Sequence, residues 1–306
     1  ADTCLMQEDL MFEGGKVRIP PGASQGINVR PAGEDQKRGQ PVARAGRRLR
    51  APELAAIAST GAAGARVFRR LKVALLSSGD EIIRPGEAWR EGAIYDANHY
   101  ILAATLAGMG AEVIDGGIVA DDRQAVQRAY ERAADQADVI VTSAGASEGR
   151  ADYMAETVRE MGRLHAWKLA IKPGKPIAFG QIGDTVFLGL PGNPVAAFVT
   201  FLIYGWPMIN RLAGHEWAEA PRYELEAGFS FTRRKQGRRE FLRGWLEREE
   251  ETGRMVVRRY PLSGSGLISS AVAATGLVEV TEDLQRIRPG DMVRFIPFAE
   301  CGVGYK

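Results

Sequence analysis

Four short loops hold the residues of this 306-residue sequence best suited to chemistry. The first is Ser77-Ser78-Gly79-Asp80-Glu81. A small loop with a glycine lets backbone N–H groups approach an anion, and Asp80 and Glu81 can hold a cation or orient water. The same residues also suit an acidic turn with a capping serine. The second runs from Thr142 to Gly149, where Ser143, Gly145 and Ser147 offer hydroxyls and free backbone for a phosphate. It lacks the Gly-Lys-Ser/Thr ending of a nucleotide P-loop, and tight strand-to-helix turns need glycine too. The third, Trp167 to Pro176, carries Lys168, Lys172 and Lys175. Two prolines and a glycine stiffen Lys172-Pro173-Gly174-Lys175-Pro176, which favours lysines converging on an anion; the same residues also suit a solvated basic loop. The fourth is Gly189-Leu190-Pro191-Gly192-Asn193-Pro194-Val195. Its backbone and the helix that starts there suit a phosphate or oxyanion, and Asn193 suits the N-cap.

These loops need a scaffold that brings them to one edge. Lys72–Ser77, Glu112–Val119, Asp138–Ser143 and Val186–Leu190 are continuous apolar runs that read as buried strands. Between them lie helical patterns: one capped by Asn98 and stopped by Gly110, one over Asp122–Ala134, one near Met154–Met161. Strand–helix alternation predicts an α/β fold with a central parallel sheet, and ligands in such sheets sit beyond the carboxyl ends of the strands. From about Trp217 the pattern becomes all-β, with runs at Tyr223–Phe231, Phe241–Glu247, Met255–Tyr260, Leu277–Thr281 and Met292–Pro297, which predicts a small C-terminal barrel-like or sandwich domain. Residues before about 67 are rich in Gly, Pro and Arg and read as irregular, with one helix at Ala51–Ser59. The expected division is 1–66, 67–216 and 217–306.

Bulk properties narrow the partners. Net charge is +2, so no global field draws the chain to nucleic acid or membrane. One basic cluster, Arg233, Arg234, Lys235, Arg238 and Arg239, reads either as a solvated hairpin tip or as an anion-facing patch. Two cysteines near opposite ends form no disulfide framework, which points to the cytoplasm. The apolar run near Ala196–Trp206 is broken by Gly205 and Pro207 and is shorter than the roughly 18–20 residues that span a bilayer.

Taken in order, Ser-Ser-Gly-Asp-Glu, Tyr95-Asp96-Ala97-Asn98, Asp121-Asp122, Ala151-Asp152-Tyr153, Lys172-Pro173-Gly174-Lys175-Pro176 and Leu190-Pro191-Gly192-Asn193-Pro194 resemble the molybdopterin molybdenumtransferase family. Upstream, Met6-Gln7-Glu8-Asp9, Gln25-Gly26-Ile27-Asn28-Val29-Arg30 and Gly33-Glu34-Asp35 fit the same pattern. The resemblance covers nearly the whole chain and is weakest in the β domain. It implies the last step of molybdenum cofactor synthesis. Adenylylated molybdopterin and molybdate are the substrates, Mg²⁺ assists cleavage of the adenylate, and the enzyme is a homodimer that can be served by a molybdopterin adenylyltransferase. It also implies roles: Asp35, Glu81, Asp121 and Asp152 as catalytic acids, Asp80 and Glu81 as Mg²⁺ ligands, and Lys168, Lys172 and Lys175 as the basic side. Arg243 and Ser265 would be oxyanion contacts from the β domain, beside Ser78, Gly79, Asp80, Ser143, Gly145, Ser147, Pro191, Gly192 and Asn193.

Departures from the family pattern bear on the site. Ala144 stands where members carry glycine, and Ala196 where many carry serine. Ala1 opens the sequence and the family's Met-Asp-Gly-Tyr-Ala stretch does not occur, so the chain reads as beginning near the end of the family's first region. Two other functions compete. A molybdopterin adenylyltransferase shares the central fold but carries Gly-Gly-Thr-Gly where this chain has Ala144-Gly145-Ala146-Ser147, and it has no β domain. A non-catalytic scaffold built on the same module would need a receptor groove, and none is evident.

Overall fold

The computed structural model describes residues 2–143, 152–232 and 237–303. It divides into two compact units, Ala1–Val67 and Phe68–Lys306. The first unit holds a hairpin of β1 (Met11–Glu13) and β2 (Lys16–Arg18) and one helix, α1 (Ala51–Ser59). Glu53 closes the start of α1: its carboxylate accepts from the Arg50 backbone at 3.0 Å and takes both Arg50 and Arg47 guanidinium groups. Those arginine bonds, Arg50 first, hold its pKa well below the usual carboxylate range.

The second unit begins with β3 (Lys72–Ser78), then the short pair β4 (Ile82–Ile83) and β5 (Ile94–Tyr95), helix α2 (Ala97–Gly108), β6 (Glu112–Val119), α3 (Arg123–Gln136), β7 (Val139–Ser143) and α4 (Asp152–Met161). Next come β8 (Gly162–Lys168), β9 (Ile171–Lys172), β10 (Pro176–Ile182) and β11 (Thr185–Leu190). Six of these strands form one sheet in the order β6-β3-β7-β11-β10-β8. The first four run parallel, as their apolar runs predict, and β10 and β8 add an antiparallel edge. On one face Val126, Tyr130, Met154 and Val158 of α3 and α4 pack with Ile140 and Phe187. On the other, Leu102 and Leu106 of α2 pack with Val73, Leu75, Val141 and Leu188. The carboxyl ends of β3, β6, β7 and β11 therefore share one edge.

Two local expectations change. The basic segment is not a free loop: Lys168 ends β8, and Ile171–Lys172 form β9. The cue was the alternation of Arg163, His165 and Trp167 with Leu164 and Ala166, a strand period hidden by the lysines that follow. The cap of α2 is Asp96, whose side chain accepts from His99 N at 3.0 Å. Asn98 lies inside the first turn and reaches across to the Gly192 carbonyl instead.

The expected break at Gly205 and Pro207 also fails. Helix α5 (Pro194–Thr200) passes through a π-helical segment, Phe201–Gly205, straight into α6 (Trp206–Leu212). A π turn absorbs the missing proline N–H by shifting the hydrogen-bond register, so the helix continues. The resulting run, Pro194–Leu212, is long and apolar enough to cross a membrane by length and composition, yet it is mostly buried. Ala197, Phe201 and Ile209 face the sheet core, while Val195, Phe198, Val199 and Leu202 face the barrel. A helix apolar all round is buried all round, and here it is the joint between the two layers.

The remaining strands are β12 (Tyr223–Ala227), β13 (Phe231–Thr232), β14 (Arg239–Arg248), β15 (Met255–Arg259), β16 (Gly276–Val280), β17 (Arg286–Ile287) and β18 (Met292–Pro297), with helix α7 (Ile268–Ala273) before β16. The order β15-β12-β18-β16-β14 closes on itself through the β14–β15 pairing, giving a five-stranded barrel. Its core contains Leu242, Val257, Val278, Val293 and Phe295. Strand β9 pairs in parallel with β14, matching Ile171 to Arg239 and Lys172 to Glu240. The lysine segment is thus fastened to the barrel while its flanking strands belong to the sheet.

Candidate active site

A cavity of about 500 Å³ opens at the carboxyl edge of the sheet within the second unit. That is the size of an ordinary small-molecule site. One wall is the end of β3 and β7, with Ser77, Ser143 and the following Glu81. A second is the run Lys172–Pro176, and a third is Pro191, Gly192 and Asn193 at the start of α5. Asp96 and Asn98 of α2 line it as well, and the barrel supplies Arg238, Ser263 and Ser265.

Each wall is held by identifiable contacts. Gly79 has φ +140°, and a Cβ there would lie 2.8 Å from a Glu81 carboxylate oxygen, so only glycine lets Glu81 fold back over the strand end. Gly174 has φ +101°, and a Cβ would meet Thr200 Oγ1 at 2.0 Å; this packs the lysine turn against α5. Lys172–Pro173 is a cis peptide bond. Lys172 Nζ donates to Glu240 Oε2 at 3.1 Å, and Glu240 is buried in the barrel. Asn98 Nδ2 donates to the Gly192 carbonyl at 2.7 Å, tying α2 to the Pro-Gly-Asn turn. Asn193 occupies the N-cap position of α5, but its side chain makes no capping hydrogen bond. The Val195 N–H of the first helical turn donates to the Ser265 carbonyl at 3.0 Å, which docks the barrel loop on the helix start.

The site residues expected from sequence fall into groups. Glu81, Ser143, Lys172, Lys175, Pro191, Gly192, Asn193 and Ser265 lie on the cavity wall. Ser78, Asp80 and Asp121 are not on that wall and bond to one another: Ser78 Oγ donates to Asp121 Oδ1 at 3.2 Å, and the Asp121 N–H donates to Asp80 Oδ1 at 3.1 Å. Lys168 ends β8 outside the wall. Asp152 begins α4. Asp35 belongs to the first unit. Gly145 and Ser147 lie outside the described residues, as do Arg233, Arg234 and Lys235 of the basic cluster.

Arg243 is buried in β14 rather than on the wall. Its Nε donates to Ser270 Oγ at 3.0 Å, and its Nη2 reaches the carbonyls of Leu262 and Gly264 at 3.3 and 3.2 Å. It braces the loop that presents Ser263 and Ser265. Burial, and then the nearby Arg259, lower its pKa from the ordinary guanidinium value.

Among the described residues no three Asp, Glu, His or Cys side chains converge as a metal cage. The polar residues not named for the site from sequence are Asn98, read as a cap and as part of the Tyr95-Asp96-Ala97-Asn98 motif, Glu240, and Ser263. Glu240 carried no local signal, since its partner Lys172 is 68 residues away.

Three family models match consecutive parts of the chain: "MoeA N-terminal region (domain I and II)" over residues 1–61, "Probable molybdopterin binding domain" over 74–211, and "MoeA C-terminal region (domain IV)" over 226–298. The molybdopterin molybdenumtransferase of Haemophilus influenzae is 35% identical over 299 residues, covering 97% of this chain and 74% of that protein. This chain is a member of the molybdopterin molybdenumtransferase family. The molybdopterin molybdenumtransferase 1 of Mycobacterium tuberculosis is 31% identical over 298 residues, with 95% of this chain and 70% of that one covered. Among solved structures, the molybdopterin biosynthesis moea protein from Pyrococcus horikosii superposes with a TM-score of 0.77 at 30% identity, covering 97% of this chain and 72% of that one. In this family member the cavity lies within the span of the two models for the binding domain and domain IV, and both contribute walls.

Proposed function

We propose that this molybdenumtransferase family member inserts molybdenum from molybdate into adenylylated molybdopterin, with hydrolysis of the adenylate and release of AMP. The observation that carries the reading is one cavity walled by Lys172, Lys175, Arg238 and the start of α5, at the strand-end edge of the sheet. Both substrates are anions, and such a wall offers them ammonium groups, a guanidinium and the positive end of a helix. Water attacks the phosphoanhydride between pterin phosphate and adenylate, and the two products leave as phosphate monoesters. Of the two wall carboxylates, Asp96 caps α2 and pairs with Arg84, and Glu81 is the one proposed to orient that water or take its proton. Asp121 and Asp80 hold the strand-end backbone beside it. Asp152 and Asp35 are proposed as acids on the family resemblance alone.

Mg²⁺ usually takes one or two carboxylates and fills its shell with water and substrate phosphate oxygens. Asp80 and Glu81 would hold it, and it would neutralise charge developing on the phosphates. The proposal includes a cytoplasmic homodimer that receives adenylylated pterin from a molybdopterin adenylyltransferase. The barrel's share of the cavity, Arg238, Ser263 and Ser265, favours this reading over an adenylyltransferase.

The test is AMP release, followed by chromatography, with adenylylated molybdopterin, Mg²⁺ and molybdate. Lys172→Ala and Lys175→Ala should each slow release or weaken saturation about tenfold or more, the scale of a lost charge-assisted hydrogen bond. AMP release at the wild-type rate by the double variant would remove both lysines from the site.

A further inference from the structure

Part of the cavity wall is apolar and has nothing to offer an anion. It comes from β4 and β5, the short parallel pair in which Ile82 is matched with Ile94. Matched residues of a ladder point to the same side, so the two isoleucines lie next to each other. Both line the cavity, and Ile94 is 56% exposed. Tyr95 follows on β5, is about half exposed and lines the cavity too. Its hydroxyl donates to the Glu87 carbonyl at 3.4 Å, which tethers the end of the ring.

The strand pair is built into the site. The Ile82 N–H donates to the Gly79 carbonyl at 3.0 Å, and the Ile94 N–H donates to the Glu81 carbonyl at 2.8 Å. The backbone of Glu81 is therefore bonded directly to the apolar strand. On the far side, the Asp96 N–H donates to the Ile83 carbonyl at 2.9 Å, and Asp96 caps α2. A single exposed isoleucine on a convex surface is ordinary. Two matched ones on a concave wall, beside a carboxylate and in one cavity with two lysines, favour a ligand that is apolar at one end and anionic at the other. Aliphatic side chains take a flat ring by its face, through many weak dispersion contacts.

We propose that Ile82 and Ile94, with Tyr95 beside them, form a ring subsite of this cavity that holds a planar heteroaromatic ring by its face, next to Glu81. This rests on the reading of the cavity as the substrate site. Two parts of the substrate carry that chemistry, the adenine and the pterin, one on each side of the phosphoanhydride. The subsite sets which way round the ligand lies: ring on the strand pair, phosphates towards Lys172 and Lys175.

Isothermal calorimetry on the whole chain tests this with three probes: AMP, ribose 5-phosphate, which lacks the ring, and a soluble pterin without phosphate. The wild-type chain should bind AMP more tightly than ribose 5-phosphate, or bind the pterin, or both. Ile94→Ser should weaken the ring-bearing probe about fivefold or more and leave ribose 5-phosphate unchanged. Ile94→Val, which keeps an apolar face, should bind as the wild type does. Loss confined to AMP seats the adenine on the strand pair, loss confined to the pterin seats the pterin there, and loss of both makes the subsite indifferent to the two rings. Wild-type affinity of Ile94→Ser for AMP and pterin, with Lys172→Ala impaired for AMP, would overturn the subsite and leave the proposed function standing. So would a wild-type chain that binds AMP no more tightly than ribose 5-phosphate and does not bind the pterin. A wild-type chain that binds none of the three probes would remove both.

Discussion

At the scale of single residues, the lysine segment shows how a side chain is aimed. Lys172 is not an ammonium waiting in solvent. It sits in register opposite Glu240 and bonds to it, so its position is set before any ligand arrives. A buried acid with an unbalanced neighbour is costly, and removal of one partner of a buried pair typically loses about 3–5 kcal/mol. Lys172 is half exposed, so the cost here is smaller. The sequence showed the lysines and their spacing but not this partner, because strand pairing across 68 residues leaves no local trace. Asn98 is similar: its residue type and place suit a cap, and only the packed fold shows its amide bonded to Gly192. A second residue-scale prediction concerns the cysteines. Cys4 is exposed, whereas Cys301 is fully buried beneath the barrel, and burial pushes its thiol up to about 12. Ellman titration of the native protein at pH 8 should count one fast thiol, and a second only in denaturant. Two fast thiols in the native state would contradict the buried position. The linkage has a definite sign. The unfolded thiol ionises near 9 while the folded one stays protonated, so Cys301 favours the fold below about pH 9, and that contribution declines as pH rises towards about 12.

At the scale of elements, the parallel strands were legible because burial on both faces makes them continuous apolar runs. Lys72–Ser78, Glu112–Val119 and Val139–Ser143 lie within one residue of where their sequences place them. The barrel strands were legible from their turns. What sequence could not show was the reach of the joint helix. Gly205 and Pro207 are ordinary breakers, and the π segment that accommodates them depends on burial against Phe201 and Leu188, a tertiary effect. The lysine turn belongs to this scale too. Gly174→Ala would force a Cβ to within 2.0 Å of Thr200 Oγ1 at a φ of +101°, and such backbone strain costs about 1–3 kcal/mol. The expected result is a lower melting temperature together with weaker oxyanion binding, since Lys172 and Lys175 flank the glycine. A variant with wild-type stability and wild-type binding would show that the turn is not wedged against the helix.

At the scale of the molecule, the net charge of +2 hides a local arrangement. The strand ends present Glu81 and Ser143, the joint helix presents its start, and the barrel presents Arg238 and two serines, all around one cavity. The helix Pro194–Leu212 packs against the sheet on one side and the barrel on the other, so the walls are fixed relative to each other within the second unit. The all-β ending was visible in the sequence, but its share of the site beyond Ser265 was not. Arg238 lay within a basic cluster that read first as a solvated hairpin tip, and Ser263 had no distinguishing signal. The central claim is that this cavity is where the pterin nucleotide binds. The most direct measurement is a crystal structure of the chain with adenylylated molybdopterin. The account predicts density for its phosphates between Lys172, Lys175, Arg238 and the Pro191-Gly192-Asn193 turn. Ordered ligand elsewhere on the chain, with this cavity holding only solvent, would contradict it.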